Sequence, residues 1–186
     1  MNSQSNPPET FETKRLLVRA LTPEDNILIN EAVQASHSEL SQFMTWCHPD
    51  YNLKDATAWI HQAISKWQTA EHFTFAIIEN LSGKLIGSVG LNIIDKADTA
   101  NLGYWIHSAY CGRGYASEAA TGLFRYSEKF LSFKKLEIVM STRNPASRQV
   151  AINLKAKFEG LTSNRLVSTD ENHDAFVYAL YPEPPK

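Results

Sequence analysis

The sequence predicts a mixed α/β fold, and three observations carry that prediction. Residues 73–107 read as three strand-like runs separated by turn signals, the pattern of antiparallel neighbours. Beyond residue 107 helix and strand alternate, and a strand reached through a helix runs parallel to the strand before it. The chain of 186 residues has the length of one domain and shows neither a low-complexity linker nor an internal repeat. The predicted organisation is a polar, disordered leader over residues 1–10, one domain over 11–181 and a short tail over 182–186.

At this length folding hides about 70% of the unfolded chain's surface. With 43% hydrophobic and 20% charged residues the composition is that of an ordinary globular protein. A net charge of −2 and a pI near 6.3 offer no whole-chain case for binding nucleic acid or an anionic membrane. No apolar run approaches the roughly 20 residues that span a bilayer. The first ten residues, MNSQSNPPET, lack the basic and apolar regions of a signal peptide. Cys47 and Cys111 are the only cysteines, too few for a disulfide scaffold or a thiolate metal site, so no metal and a cytoplasmic setting are expected.

Each element has a local reason. Arg15–Arg19 is a short β-type run. Thr22-Pro23-Glu24-Asp25 then opens a helix, with Thr22 as N-cap, Pro23 at the first helical position and acids in the first turn. That helix runs through about Gln34; a second helical region covers Ser36 to about Trp46, and a third spans about Leu53 to Thr69. Phe73–Ile78 is a strand, Asn80–Lys84 a hairpin turn, and Leu85–Ile94 the returning strand. Asp95–Thr99 turns the chain into the strand Ala100–His107. A helix over Ser117–Leu131 leads to the strand Leu136–Ser141, and Ala146–Lys155 is helical. Strands near Gly160–Val167 and Asp174–Leu180 flank a turn over Ser168–Asn172.

The segment YCGRGYASEA, residues 110–119, stands between a strand and a helix. Its glycines let successive backbone N–H groups point into one concavity, and the following helix adds the positive end of its dipole. That combination suits phosphate or pyrophosphate, and Arg113 can add a charge-assisted contact. A plain glycine-rich turn is the competing reading. Neither GxxxxGK[ST] nor a GxGxxG in a first βα turn is present.

This segment resembles the acetyl-CoA pyrophosphate loop of the GNAT N-acetyltransferases, Gln/Arg-x-x-Gly-x-Gly/Ala. Gly114 and Ala116 match, and Cys111 stands where Gln or Arg is usual. The segments TKRLLVRALTPED, LIGSVGL, LGYWIHSAYCGRGYASEA, NPASRQVA, KAKFEG and HDAFVYAL, in that order over roughly residues 12–181, are similar to the branch containing the ribosomal-protein-alanine and ribosomal-protein-serine N-acetyltransferases. The resemblance implies a splayed, mostly antiparallel mixed sheet with helices on both faces. It implies acetyl-CoA bound where the strands ending near His107 and Ser141 diverge. Backbone of Trp105, Ile106 and His107 would pair with the pantetheine arm like an added strand. Amides of the loop Cys111, Gly112, Arg113, Gly114, Tyr115 and Ala116 would hold the pyrophosphate.

Acetyl transfer to an amine needs a neutral amine, a polarised carbonyl and a proton for the leaving thiolate. Asn144-Pro145-Ala146-Ser147 matches the family's Asn-x-x-Ser pattern, which implies Asn144 and Ser147 beside the cofactor and Ser147 as general acid. Both residues equally suit the start of a helix. The base is unassigned: Asn101 replaces the acid relatives often carry before GYW, and LTSNRLV holds no acid. His107, Asp95, Asp98 and bulk water stay open. Glu118 is explained by the helix dipole, and Cys111 reads as a small filler and not a nucleophile. On the acceptor side the family points to Ser38–Trp46, hence to Glu39, Phe43, Met44 and Trp46. The acceptor is a protein N-terminus, of the ribosomal-protein type, or a small amine such as a polyamine, amino acid or antibiotic. A CoA-binding module without catalysis is the reading from another class.

Overall fold

In the computed structural model of the protein the described residues are 7–95, 98–167 and 172–182, with side chains described outside 164–167 and 172–173. Strands β1 (Thr10–Glu12), β2 (Leu16–Ala20), β3 (His72–Glu79), β4 (Leu85–Asp95) and β5 (Thr99–Ile106) pair antiparallel in chain order. β6 (Lys135–Ser141) runs parallel to β5. β7 (Lys157–Val167) and β8 (Asn172–Leu180) complete the sheet of eight strands, with β8 lying between β6 and β7. Helices α1 (Asn26–Gln34), α2 (His37–Leu40), α3 (Leu53–Gln68), α4 (Tyr115–Phe130) and α5 (Pro145–Asn153) fill the connections.

The sheet splits in its middle. β5 and β6 share only the pairs Thr99↔Lys135, Ala100↔Leu136 and Asn101↔Glu137. Beyond them β5 stays with β4 as far as Ile106, and β6 stays with β8 as far as Ser141. The splayed mixed sheet with helices on both faces, expected from the resemblance, is therefore present.

Strand periodicity decides what each face buries. Phe73, Phe75 and Ile77 join Leu16, Val18 and Ile86 in one core against Ala119, Ala120 and Leu123 of α4. Each such large side chain contributes about 1.5–3 kcal/mol on burial. On the other face Ala76, Leu85 and Trp105 join Ile29, Val33 and Ile60 from α1 and α3 in a second core. Four further residues on that face, Thr74, Ser88, Gly90 and Gly103, are small and stand in register across β3, β4 and β5. They leave space beneath α3 unfilled, and a cleft opens there.

Three expectations change. Part of the segment read as a free leader is tied down: the Pro8 carbonyl accepts from Tyr126 Oη at 2.7 Å, the Glu9 carbonyl from the Ala20 N–H at 2.6 Å, and Thr10 pairs with Arg19. A sheet edge supplied partners that polar composition does not reveal. The helix expected over Ser36–Trp46 is only the short α2. After Leu40 the chain tightens into turns, with Phe43 and Met44 N–H both on the Leu40 carbonyl, which lets Cys47 and Tyr51 reach the core. Third, Thr22 starts a 3-10 turn over Pro23–Asp25, its N–H donating to the Asp25 carboxylate at 2.8 Å, before α1 begins. The turn expected over Ser168–Asn172 and the tail beyond Pro182 fall almost wholly outside the described residues.

Candidate active site

Where β5 ends, the chain makes a 3-10 turn over Ser108–Tyr110 and then passes through Gly112 (φ +73°) and Gly114 (φ +80°), which caps α4. Both angles lie in the left-handed region that glycine enters without a Cβ clash. The Cys111 N–H is spent on the Ser108 carbonyl at 3.1 Å. From Gly112 to Ser117 the N–H groups have no acceptor among the described residues. The row of open donors thus begins one residue later than expected at the sequence level and continues into the first turn of α4.

Arg113, expected to supply charge, is exposed and lies over the Tyr110 ring, 5.5 Å from its centroid. The cation that braces this loop is Arg15, which strand patterning alone did not mark. Its Nε donates to Glu118 at 2.6 Å and its Nη1 to the Arg113 carbonyl at 3.1 Å, and its guanidinium covers the Tyr115 ring at 4.3 Å. Glu118 also accepts from Thr13 Oγ1 and from the Arg15 N–H, both at 2.7 Å. Burial pushes the Glu118 carboxyl up, but these hydrogen bonds and the Arg15 charge outweigh it and hold it below the ordinary value.

Three connected cavities form the cleft. The first, about 440 Å³, runs from Tyr110, Cys111, Gly112, Gly114, Tyr115 and Ala116 to Asn144 and Ser147. The second, about 400 Å³, shares Phe43, Met44, Tyr104, Trp105, Asn144 and Ser147 with the first. The third, about 390 Å³, shares Trp46, Trp59, Gln62 and Trp105 with the second.

At the centre Ser147 Oγ and Tyr104 Oη share a hydrogen bond of 2.9 Å, and Tyr104 Oη also reaches the Ser147 carbonyl at 3.2 Å. Burial pushes the Tyr104 phenol up to about 12, against a smaller opposing effect of Ser147. Tyr104 went unselected in the sequence, although GYW contains it. Asn144 is the N-cap of α5, its side-chain oxygen accepting from the Ser147 N–H at 2.9 Å. The helix-cap reading of NPAS therefore holds, and the same cap orients Ser147.

The edge of β5 differs from expectation in detail. The His107 N–H donates to the Ile86 carbonyl at 2.8 Å, and Trp105 is registered with Ser88. Antiparallel alternation then turns the N–H and C=O of Tyr104 and Ile106 towards the gap left by β6. Trp105 lines the cleft by its side chain, and His107 caps the 3-10 turn, its Nδ1 accepting from the Ala109 N–H at 3.1 Å. His107 does not line the cleft.

Glu39 lines the loop end, where after burial its charge further raises the Cys111 thiol. It stands away from the aromatic end, so its expected acceptor role is not supported by its placement. Phe43 and Met44 line the first two cavities, and Trp46 the second and third. Cys111 is an exposed residue lining the first cavity, its thiol 3.7 Å from the Ile106 and His107 carbonyls and held protonated by partial burial and Glu39. Asp98 pairs with Lys134 at 2.6 Å, and neither it nor Asp95 lines the cleft. His72 does line it, and burial followed by Lys66 lowers its pKa, so its ring is neutral near pH 7. Register places it two strands over and three residues along from Tyr104, about 14 Å between Cα atoms at ordinary strand spacing. The hydrogen bonds of the Tyr104 phenol go to Ser147 and not to His72.

Comparison with known proteins agrees with this geometry. Residues 15–157 match the family described as Acetyltransferase (GNAT) domain. The chain is 25% identical over 173 residues to the uncharacterized N-acetyltransferase p20 of Bacillus licheniformis, covering 92% of this chain and 96% of that protein. It is 29% identical over 97 residues to the ribosomal-protein-serine acetyltransferase of Escherichia coli (strain K12), covering 52% and 54%. Its fold is that of the ribosomal L7/L12 α-N-protein acetyltransferase RimL in complex with coenzyme A, with a TM-score of 0.87 at 19% identity over 93% of this chain and 98% of that one. The chain belongs to the GNAT acetyltransferase family.

Proposed function

We propose that this N-acetyltransferase works in the cytoplasm and moves the acetyl group of acetyl-CoA directly to a primary amine, first of all the α-amine of a protein N-terminus of the ribosomal-protein type. One observation carries the reading: the parting of β5 from β6 ends at a row of open amides, Gly112 to Ser117, along one continuous cleft. The resident groups fit the cofactor. A diphosphate needs clustered N–H donors beside a positive helix end, and the loop and α4 offer both. A pantetheine arm needs an unpaired strand edge, which Tyr104 and Ile106 offer. Bound there, acetyl-CoA supplies a thioester-activated acetyl group and a thiol leaving group. The acceptor class is supported by the relatives named for ribosomal-protein acetylation.

Tyr104 keeps its proton throughout the neutral range because burial holds its pKa near 12. Ser147, 2.9 Å from that phenol, can give its own proton to a thiolate while taking one from Tyr104, and solvent in the open cleft returns a proton to the phenol. Asn144 positions Ser147 through the cap. Ile106 and Tyr104 supply main-chain donors at the strand edge, where a carbonyl is polarised. With His72 not bonded to the Tyr104–Ser147 centre and Asp98 paired outside the cleft, the amine loses its proton to solvent in the open cleft.

A small-amine acceptor is the second reading, favoured by the third cavity, whose volume of about 390 Å³ suits a small ligand. A non-catalytic CoA module is opposed by the Ser147–Tyr104 pair. Calorimetric CoA titration, combined with thiol release on N-terminal peptides and on small amines, tests all three. Gly112→Glu and Gly114→Asp should each weaken CoA binding by strain at positive φ and by like-charge repulsion. Unchanged affinity in both removes the cofactor site from this loop, turnover confined to small amines rejects the peptide acceptor, and binding without turnover leaves only the module.

A further inference from the structure

We propose that the third cavity selects the acceptor, and that it takes an organic cation: the acceptor carries a second positive group one side chain away from the amine that is acetylated. The inference rests on the acetyltransferase reading above and names the acceptor class for it.

Four aromatic side chains, Trp46, Trp59, Trp105 and Tyr51, line this cavity. Trp46 lies 6.2 Å from Trp105 and 5.8 Å from Tyr51, centroid to centroid, so the rings form a continuous wall. Aromatic faces carry negative quadrupole density and attract ammonium or guanidinium groups within about 6 Å. Asp55 is the carboxylate of the lining, and neither Lys nor Arg is among the lining residues. One Asp55 oxygen caps α3 through the Asn52 N–H at 2.8 Å, and the other faces His48 Nε2 at 3.7 Å, a partner that is charged only when protonated.

Burial, then Asp55 and Cys47, push the Tyr51 phenol up to about 12, so it stays a neutral dipole and leaves Asp55 as the charge that a cation would meet. Lys66 lines the second cavity and not the third. It repels a cation from that cavity and leaves the third as the favourable destination. The third cavity adjoins the second along Trp46, Trp59, Gln62 and Trp105, and the second holds Tyr104 and Ser147, so an acceptor that spans both cavities can bring its amine to that centre.

Three of the chain's four tryptophans line this cavity, so intrinsic fluorescence reports its occupancy without turnover. The amidated tripeptides Ala-Lys-Ala, Ala-norleucine-Ala, Ala-Phe-Ala and Ala-Glu-Ala are titrated at pH 8 with CoA present, and the same peptides are assayed for thiol release with acetyl-CoA. The lysine peptide should bind about tenfold tighter than the norleucine peptide, and the glutamate peptide weakest. Asp55→Asn should collapse the lysine-to-norleucine ratio towards one. Trp59→Leu, which leaves the α3 cap in place, should lower lysine-peptide affinity by several-fold. Norleucine or phenylalanine peptides binding as tightly as lysine would overturn the cation site. Discrimination in binding with no thiol released from any peptide supports the cation site while rejecting the transferase reading. Equal binding with equal thiol release does the reverse.

Discussion

Removing the Glu118 carboxylate should loosen the joint between the start of the sheet and the cofactor loop. Glu118 receives three hydrogen bonds at 2.6–2.7 Å, from Thr13 Oγ1, the Arg15 N–H and Arg15 Nε. Hydrogen bonds to a charged group contribute about 1.5–3 kcal/mol each when fully buried. The Glu118 side chain is 17% exposed and that of Arg15 40%, so water replaces part of what is lost. We therefore expect about 2–3 kcal/mol of destabilisation for Glu118→Ala and about 1–2 for Glu118→Gln, which keeps one acceptor. With a urea slope of about 2 kcal/mol/M the alanine variant's midpoint falls by about 1 M. The pH dependence follows from the sign of the shift. The folded carboxyl titrates below its ordinary value of 4.5, so its contribution is complete above that pH and is lost as pH falls through the folded value. Urea titrations of wild type and Glu118→Gln at pH 7 and at successively lower pH should show the gap closing below about 4.5. A midpoint shift under 0.2 M for the alanine variant, or a gap that persists in acid, refutes the reasoning.

Further predictions concern chemistry and the first helix. Ser147→Ala should lower kcat by about a hundredfold as the thiolate loses its donor, and Tyr104→Phe by about tenfold, with the acetyl-CoA KM changed less than kcat. Steady-state thiol release checks both. If solvent takes the amine proton, kcat/KM should rise with pH to a plateau set by the acceptor, near 8 for a peptide α-amine and near 10 for an alkylamine; an inflection independent of acceptor would assign the base to the protein. Asp25→Ala should cost about 3–5 kcal/mol, because Asp25 is 2% exposed and accepts two bonds from Arg19, at 2.6 and 2.7 Å, and one from the Thr22 N–H. Thermal unfolding measures it, and a loss below 1 kcal/mol would contradict the pairing.

How far the sequence speaks depends on the range of the forces involved. The helices over 53–68, 115–130 and 145–153 and the central strands follow from caps, periodicity and turns, which act between neighbours. The short helix after Ser36 failed the same reading because its continuation is set by Cys47 and Tyr51 reaching a distant core. The glycine loop was legible since positive φ demands glycine locally. The choice of its cation was not: Arg15, 98 residues away in sequence from Arg113, meets the loop only because β2 and α4 pack together.

Thus local chemistry in the chain determined the order of strands and helices, the open-amide loop and the Asn144–Ser147 helix start. Tertiary packing alone decided that β5 and β6 part after Asn101, that Tyr104 meets Ser147 across the gap and that Glu39 faces the loop end. These are pairings between residues tens of positions apart. A chain's local preferences leave such pairings open until the sheet fixes the register.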